Sequence, residues 1–517
     1  MKKKINHILS ALVLTASLGL TTVSCNGFLD EMPDNRTELN TDQKIAKLLV
    51  SAYADVSPNE LFELYSDNSD DSGPTYGYYK LSEQECYHWQ DTKEEYQDTP
   101  NSLWGGYYSA IAAANMALNA IEEKGNPASL DPQRGEALVC RAYCHFMLAN
   151  IFCNAYDTHA SQSLGVPYME EVETTVSPRY ERGTLEEVYR KVERDLLEGI
   201  DLISDDSYSV PKYHFTRKAA YAFAARFYLY YMKPDFSNCD RVIDFATRVL
   251  GTNPADLLRN WEALGNLSVN GNVQADAYIA SSNEANLLIS STVSNWGAIG
   301  SDYLIGPRYF HNQTLATSET CLSSGLWGSS DYFYLKPFST NGFVASILRK
   351  SGLYEGTYLY YMPVLFSTDE TLLCRAEAYA LKKMYAQSAA DITSWQRAYT
   401  RNKSVLTPEQ INTYYDRMSF YTPFTQQTPK KKLAPDFMIE EGMQENFIHC
   451  ILHIRRITTL HEGMRWPDIK RYGILIYRRD MANQRVTDEM PPNDLRYAIQ
   501  IPRSVIVAGI QPNPRRN

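Results

Sequence analysis

Past its first 24 residues the 517-residue sequence has no apolar run long enough to cross a bilayer, so it encodes no further membrane-spanning helix. Clustered basic charge is missing too. Residues 1–24 hold three of the 50 basic residues and none of the 61 acidic ones, so their removal takes the net charge from −11 to −14. Nucleic-acid binding rests on grouped Lys and Arg that neutralise phosphates, and nucleic acid is therefore not an expected partner. The eight cysteines beyond Cys25, at 86, 140, 144, 153, 239, 321, 374 and 450, have no paired spacing. Cys140 and Cys144 fall one helical turn apart, where a disulfide is strained and small buried thiols are common. His449 and His453 have an i, i+4 spacing, but Cys450-Ile451-Leu452 between them lacks the glutamate of a zinc-protease helix, and a structural role is expected. There is no nucleophile elbow and no phosphate-binding glycine loop; Gly105-Gly106 opens a helix, and context marks no two acids as a glycosidase pair. No catalytic residue, metal or cofactor is expected.

What is present begins at the N-terminus. Lys2, Lys3 and Lys4 precede an apolar stretch from Ile8 to Val23 that is short and rich in small residues, the pattern of an export signal. Thr21, Thr22, Val23 and Ser24 then lead into Cys25, which resembles the lipobox of bacterial lipoproteins, where the cysteine sulfur takes a diacylglycerol and becomes residue one. An ordinary signal peptide with an incidental cysteine, or a retained anchor, is the alternative. Buried methylenes contribute about 0.8 kcal/mol each, so several acyl chains on Cys25 would hold the chain on a membrane. Residues 1–24 read as the signal, 25–40 as a turn-prone leash and 41–517 as one domain.

Within that domain helical periodicity dominates. Leu103, Tyr107, Ile111, Ala114, Leu118 and Ile121 step by three and four residues, and Leu138, Ala142, Phe146, Ala149 and Phe152 repeat the stripe. Thr184 and Glu187 have capping-box spacing, and Thr407-Pro408-Glu409 looks like another helix start. Further helices are expected at 218–232, 237–250, from Thr368-Asp369 onward and at 389–398. Paired helices rich in Ala and Tyr give a mainly α fold class of tetratricopeptide-like hairpins. Residues 253–363 form a loop-rich insertion with strand-like pieces at Ala277-Tyr278-Ile279 and Leu287-Leu288-Ile289.

Tyrosine is the surplus residue, with 38 copies beside 7 Trp and 18 Phe. Most must pack, as Tyr228, Tyr230 and Tyr231 do in a helical pattern. In loops the same rings can serve as ligand contacts, with nearby carboxylates and amides as polar partners. Two loop regions have that composition. One holds Tyr76, Tyr78, Tyr79 and Trp89 behind Asp70 and Asp71; the other holds Trp296, Tyr303, Trp327, Tyr332 and Tyr334 beside Asp302 and Asp331. Tyr76, Tyr78, Tyr79, Trp89, Trp296, Trp327, Tyr332 and Tyr334 are the ligand-binding candidates, and a packed loop anchor is the competing reading for each. If Trp296 and Trp327 form an exposed platform, their removal weakens binding and spares stability.

Several motifs in order resemble the SusD/RagB family of surface nutrient-binding lipoproteins. They are Cys25 with Phe28-Leu29-Asp30, Gly135-Glu136-Ala137-Leu138 running to Arg141-Ala142-Tyr143-Cys144-His145-Phe146, and Asp369-Glu370-Thr371-Leu372-Leu373-Cys374-Arg375-Ala376-Glu377-Ala378. Glu462-Gly463-Met464-Arg465-Trp466-Pro467-Asp468-Ile469-Lys470-Arg471-Tyr472-Gly473 and a closing Ile501-Pro502 complete the set. The family usually has His at Met464 and Phe at Pro467. Its Glu-Arg-Arg-x-Glu run keeps Arg455 and Arg456 here, with Ile454 and Thr458 at the acidic places. The resemblance implies a SusD-like fold and an outer-membrane, cell-surface lipoprotein that binds oligosaccharide or, in some members, peptide. It also implies a SusC-like TonB-dependent transporter as partner, which the protein would cap as a lid. A surface glycoside hydrolase and a pure protein-contact scaffold are the other function classes.

Overall fold

The computed structural model describes residues 39–515 apart from 77–78, 176–178, 269–272, 299–306, 323, 336–351, 356–357 and 482. Cys25, Tyr78, Asp302 and Tyr303 lie outside the described residues. The chain divides into two units, Met1–Lys44 and Ile45–Asn517, and the long helices and the strands belong to the second.

Two short helices, α1 (Asn59–Tyr65) and α2 (Leu81–Tyr87), flank the strand β1 (Asp70–Asp71) and precede the long helices. α3 (Pro100–Glu123) packs on α4 (Asp131–Phe152), which packs on α5 (Leu185–Leu202); α6 (Arg217–Tyr230) packs on α7 (Ser237–Leu250). After the insertion, α8 (Thr368–Leu381) lies against α7, α9 (Tyr385–Tyr399) and α11 (Met443–Thr458), and α10 (Pro408–Arg417) lies against α11. The fold is thus mainly α, built of paired helices with short strands between them.

Local chemistry explains the boundaries. Thr184 Oγ1 accepts from Glu187 N at 3.2 Å and Glu187 Oε2 accepts from Thr184 N at 2.8 Å, the reciprocal cap expected from their spacing. Thr407 and Gln410 cap α10 in the same way. The α3 stripe buries Leu103, Tyr107, Ile111, Ala114 and Ile121. α4 and α5 approach closely at Gly135, where an added Cβ would meet Gly199 O and Ile203 N at 2.8 Å.

The insertion is more ordered than its composition suggests. β2 (Asn286–Ile289) is fully buried and pairs antiparallel with β7 (Val364–Ser367), as the Leu287-Leu288-Ile289 run predicts. β3 (Thr292–Val293), β5 (Gly352–Glu355) and β6 (Tyr358–Tyr361) form a second small sheet, and β4 (Tyr309–Phe310) returns to β1. Ala277-Tyr278-Ile279 is not a strand but the end of a helix, Val273–Ile279. Its buried residues, Gln274, Ala275, Tyr278 and Ile279, follow a helical spacing that a three-residue window cannot show.

The C-terminal motifs form a buried ionic network. Glu377 on α8 accepts from Arg455 on α11 at 2.6 Å, and from Arg471 at 3.0 Å and Tyr472 at 2.6 Å on α12 (Arg465–Tyr472). Glu370 pairs with Arg226 at 3.2 Å and Arg455 at 3.4 Å, and Asp468 pairs with Arg471 at 2.8 Å. Gly473 ends α12 in the left-handed region, φ 54°, where a Cβ would collide with Ala434 O. Met464 and Pro467 line a cavity of about 50 Å³ with Tyr143, Phe146, Arg226 and Glu370, so both are packing positions. His453 is bonded to Tyr415 Oη at 3.0 Å and Thr320 O at 2.9 Å, a structural role.

Candidate functional site

β1 pairs antiparallel with β4, with Asp70 opposite Phe310 and Asp71 opposite Tyr309. This single pairing joins the two aromatic regions that the sequence offers separately. At the junction Arg308 grips Asp71 with two bonds, Nε to Oδ1 at 2.7 Å and Nη2 to Oδ2 at 2.9 Å. The guanidinium lies 4.9 Å from the Tyr79 ring centroid and 5.0 Å from that of Tyr309. Tyr79 meets Tyr309 edge to face at 5.5 Å, and Tyr309 stacks on Tyr87 at 4.7 Å.

The cluster is half open. The Arg308 and Asp71 side chains are 19% and 17% exposed, Tyr76 and Tyr79 are half-buried, and Tyr309 is covered. The hydrogen bond to Asp71 raises the Arg308 pKa, so the guanidinium stays charged. Burial pushes the Tyr309 hydroxyl up, and that hydroxyl has no hydrogen-bond partner among the described residues. His88, 6.0 Å from Tyr309, is lowered by burial and then by the Arg478 charge, which leaves it neutral at pH 7. Arg308 Nη1 likewise makes no hydrogen bond among the described residues. The arrangement offers a ring face, a cation with a spare donor and a carboxylate.

A buried support holds β1 in place. Asp67 takes Arg465 at 2.7 Å and Lys431 at 2.6 Å, while Arg456 donates to Asn68 Oδ1 at 2.7 Å and Glu319 at 2.8 Å. Asp70 receives Arg479 at 2.6 Å. The retained Arg456 thus anchors the segment that carries Asp71.

The remaining candidates separate by burial. Trp89, Trp296 and Trp327 are core residues, 4%, 1% and 1% exposed, which corrects the expectation that they present open faces. Trp89 Nε1 donates to Tyr65 O at 2.9 Å and Trp296 Nε1 to His461 O at 2.8 Å, while Trp327 packs on Trp395 at 5.3 Å and His453 at 5.0 Å. The physical reason is that irregular segments hold their shape by burying large rings. Tyr334 is buried under Arg401 and Lys403 and donates to Glu262 at 3.2 Å. Among the described residues of the second group Tyr332 alone is exposed, at 45%. Sequence reasoning missed Arg308 and Tyr309; no motif surrounds them, and their only signal is an Arg-Tyr pair in an aromatic insertion.

A family model described as SusD-like, starch-binding and associating with the outer membrane matches residues 27–229. No curated protein matches the sequence. Among solved structures, a putative sugar binding protein from Bacteroides vulgatus is similar at 19% identity and TM-score 0.60, covering 93% of this chain and 99% of its own. A SusD superfamily protein from Bacteroides fragilis is similar at 15% identity and TM-score 0.61, covering 91% and 98%. A SusD-like carbohydrate binding protein from Bacteroides vulgatus gives 15% identity, TM-score 0.58 and coverage of 90% and 96%. At these identities the likeness to solved structures establishes the fold. The N-terminal part thus matches the SusD-like family model, and the fold along about nine tenths of the length is similar to that of SusD superfamily structures.

Proposed function

We propose that this protein is a lipid-anchored outer-membrane binder of oligosaccharides that holds its ligand at the Tyr76, Tyr79, Asp71, Arg308 and Tyr309 cluster, and that it delivers the ligand to a TonB-dependent transporter as its lid. The observation that carries the binding step is the β1–β4 pairing, which builds a half-open ring, guanidinium and carboxylate cluster from residues more than two hundred positions apart. Sugars have flat, partly apolar faces rimmed by hydroxyls, and such a cluster meets both. Arg308 Nη1 supplies a donor that a sugar oxygen would satisfy. The description of the matching family and the names of the sugar-binding structural relatives support the ligand class.

The test is calorimetry against a panel of oligosaccharides, with the recovered ligand checked for cleavage. Wild type binds at least one intact glycan, and Arg308→Ala or Tyr79→Ala weakens that binding by about 1–3 kcal/mol, the value of a charge-assisted hydrogen bond or a stacked ring. Unchanged affinity in both variants removes the cluster from the mechanism. Cleavage of the glycan replaces the binding reading by a hydrolase.

A further inference from the structure

A separate cavity of about 520 Å³ lies between the 50–55 turn, α3 at Gly106 and Ser109, the 213–214 loop and the β2–β3 turn. None of the Asp71–Arg308 cluster lines it. Its wall is built rather than incidental: Gly106 lets Val56 sit against α3, where an added Cβ would come within 2.5 Å of the valine.

Behind the cavity Glu136 is 4% exposed and accepts from Tyr53 Oη at 2.7 Å. His214 Nδ1 lies 2.7 Å from the same carboxylate oxygen, and the His214 ring stacks on Tyr208 at 4.4 Å and 10°. Tyr53 Oη also accepts from Phe215 N at 2.7 Å, which ties the loop that carries His214 to the same Tyr53–Glu136 pair. A carboxylate at Nδ1 selects the tautomer with the proton on Nδ1 and leaves Nε2 as an acceptor. That nitrogen has no partner among the described residues, and His214 lines the cavity. The Asp55 carboxylate, also in the lining, makes no ion pair or side-chain hydrogen bond among the described residues. Ser51, Ser109, Ser290 and Ser291 add hydroxyls, and no Lys or Arg is among the described residues of the lining.

We propose that this cavity is a second ligand site, selective for a neutral, hydroxyl-rich small molecule, with His214 Nε2 as the oriented acceptor and Glu136 as the residue that positions it. A lining with a free carboxylate and no cation rejects anions by charge. The volume lies within the range of roughly 300–1,000 Å³ typical of small-molecule sites, which suits about one or two sugar units rather than a polymer. The site uses no residue of the Asp71–Arg308 cluster and stands independently of the function proposed for it.

Saturation-transfer NMR and calorimetry on the full chain, with glucose, xylose, N-acetylglucosamine and maltose as probes, test the proposal. At least one probe binds the wild type. Ser109→Phe, which fills the cavity from an exposed position of α3, lowers that affinity at least tenfold without changing the melting temperature. His214→Ala lowers it at least tenfold, and Arg308→Ala leaves it within twofold. Absence of binding by every probe, or binding unaffected by Ser109→Phe, overturns the second site. Loss on Arg308→Ala with no loss on Ser109→Phe overturns it too, and assigns the small sugar to the first cluster instead.

Discussion

Trp296 and Trp327 are each 1% exposed, and their rings are surrounded by Phe310 and His461 in one case and by Trp395 and His453 in the other. Truncating either to Ala leaves a cavity that the neighbours fill only partly, and a loss of about 3–5 kcal/mol is expected in denaturant unfolding. Tyr332, at 45% exposed, is the contrasting position, and Tyr332→Ala stays within about 0.5 kcal/mol of wild type. Equal stabilities across the three variants would contradict the burial. Aromatic composition in a loop marks these residues as important in the sequence, but whether a ring serves as platform or as anchor depends on what covers it. Tyr79 and Trp296 are indistinguishable on that count until Arg308 and His461 are placed beside them.

At the level of elements, α8, α11 and α12 are joined by charges rather than by apolar contact alone. Burial by itself would raise the Glu377 and Asp67 carboxyls. Arg471 and Arg455 around Glu377, and Arg456, Arg465 and Lys431 around Asp67, overcome that effect and hold both below the usual carboxylate range. Glu370 and Glu319 are lowered for the same reason, by Arg226 and Arg455 and by Lys431 and Arg456. Groups lowered in the folded state bind fewer protons than in the unfolded state, so their stabilisation is complete above the unfolded value of about 4 and is lost as pH falls through the folded values. Urea midpoints measured from pH 7 down to pH 2 therefore drop steeply below about pH 4, and Asp67→Asn flattens part of that drop. Removing one partner of a buried pair strands the other, so Asp67→Asn also lowers stability at pH 7 by about 3–5 kcal/mol. A variant with wild-type stability and an unchanged acid limb would show that the network does not hold the segment that carries Asp71.

Across the whole molecule, the proposed N-terminal signal and the proposed binding function make a joint prediction. If Cys25 carries the lipid, Cys25→Ala releases or mislocalises a protein that still folds and still binds glycan; fractionation and binding assays on the variant check both halves. Retention at the membrane would remove the lipid anchor and the lid proposal built on it. The helical architecture behind that prediction was readable in advance because amphipathic stripes and caps are local. Thr184 with Glu187, and Thr407 with Pro408, mark helix starts from four residues of sequence. The β8 (Ile476–Asp480) and β9 (Arg485–Met490) hairpin gave no comparable signal, since four of the six β9 residues are exposed and only Met490 is buried.

The sequence by itself determined the periodic helices, the candidate anchor cysteine and the ordered motifs at 135–146, 369–378 and 462–473, because each depends on residues a few positions apart. Only the tertiary structure decided which rings are covered, that Asp71 meets Arg308, and that Glu136 turns His214 toward an empty volume. The last two depend on pairings across 237 and 78 positions, and chain separation of that size leaves no pattern in a local window.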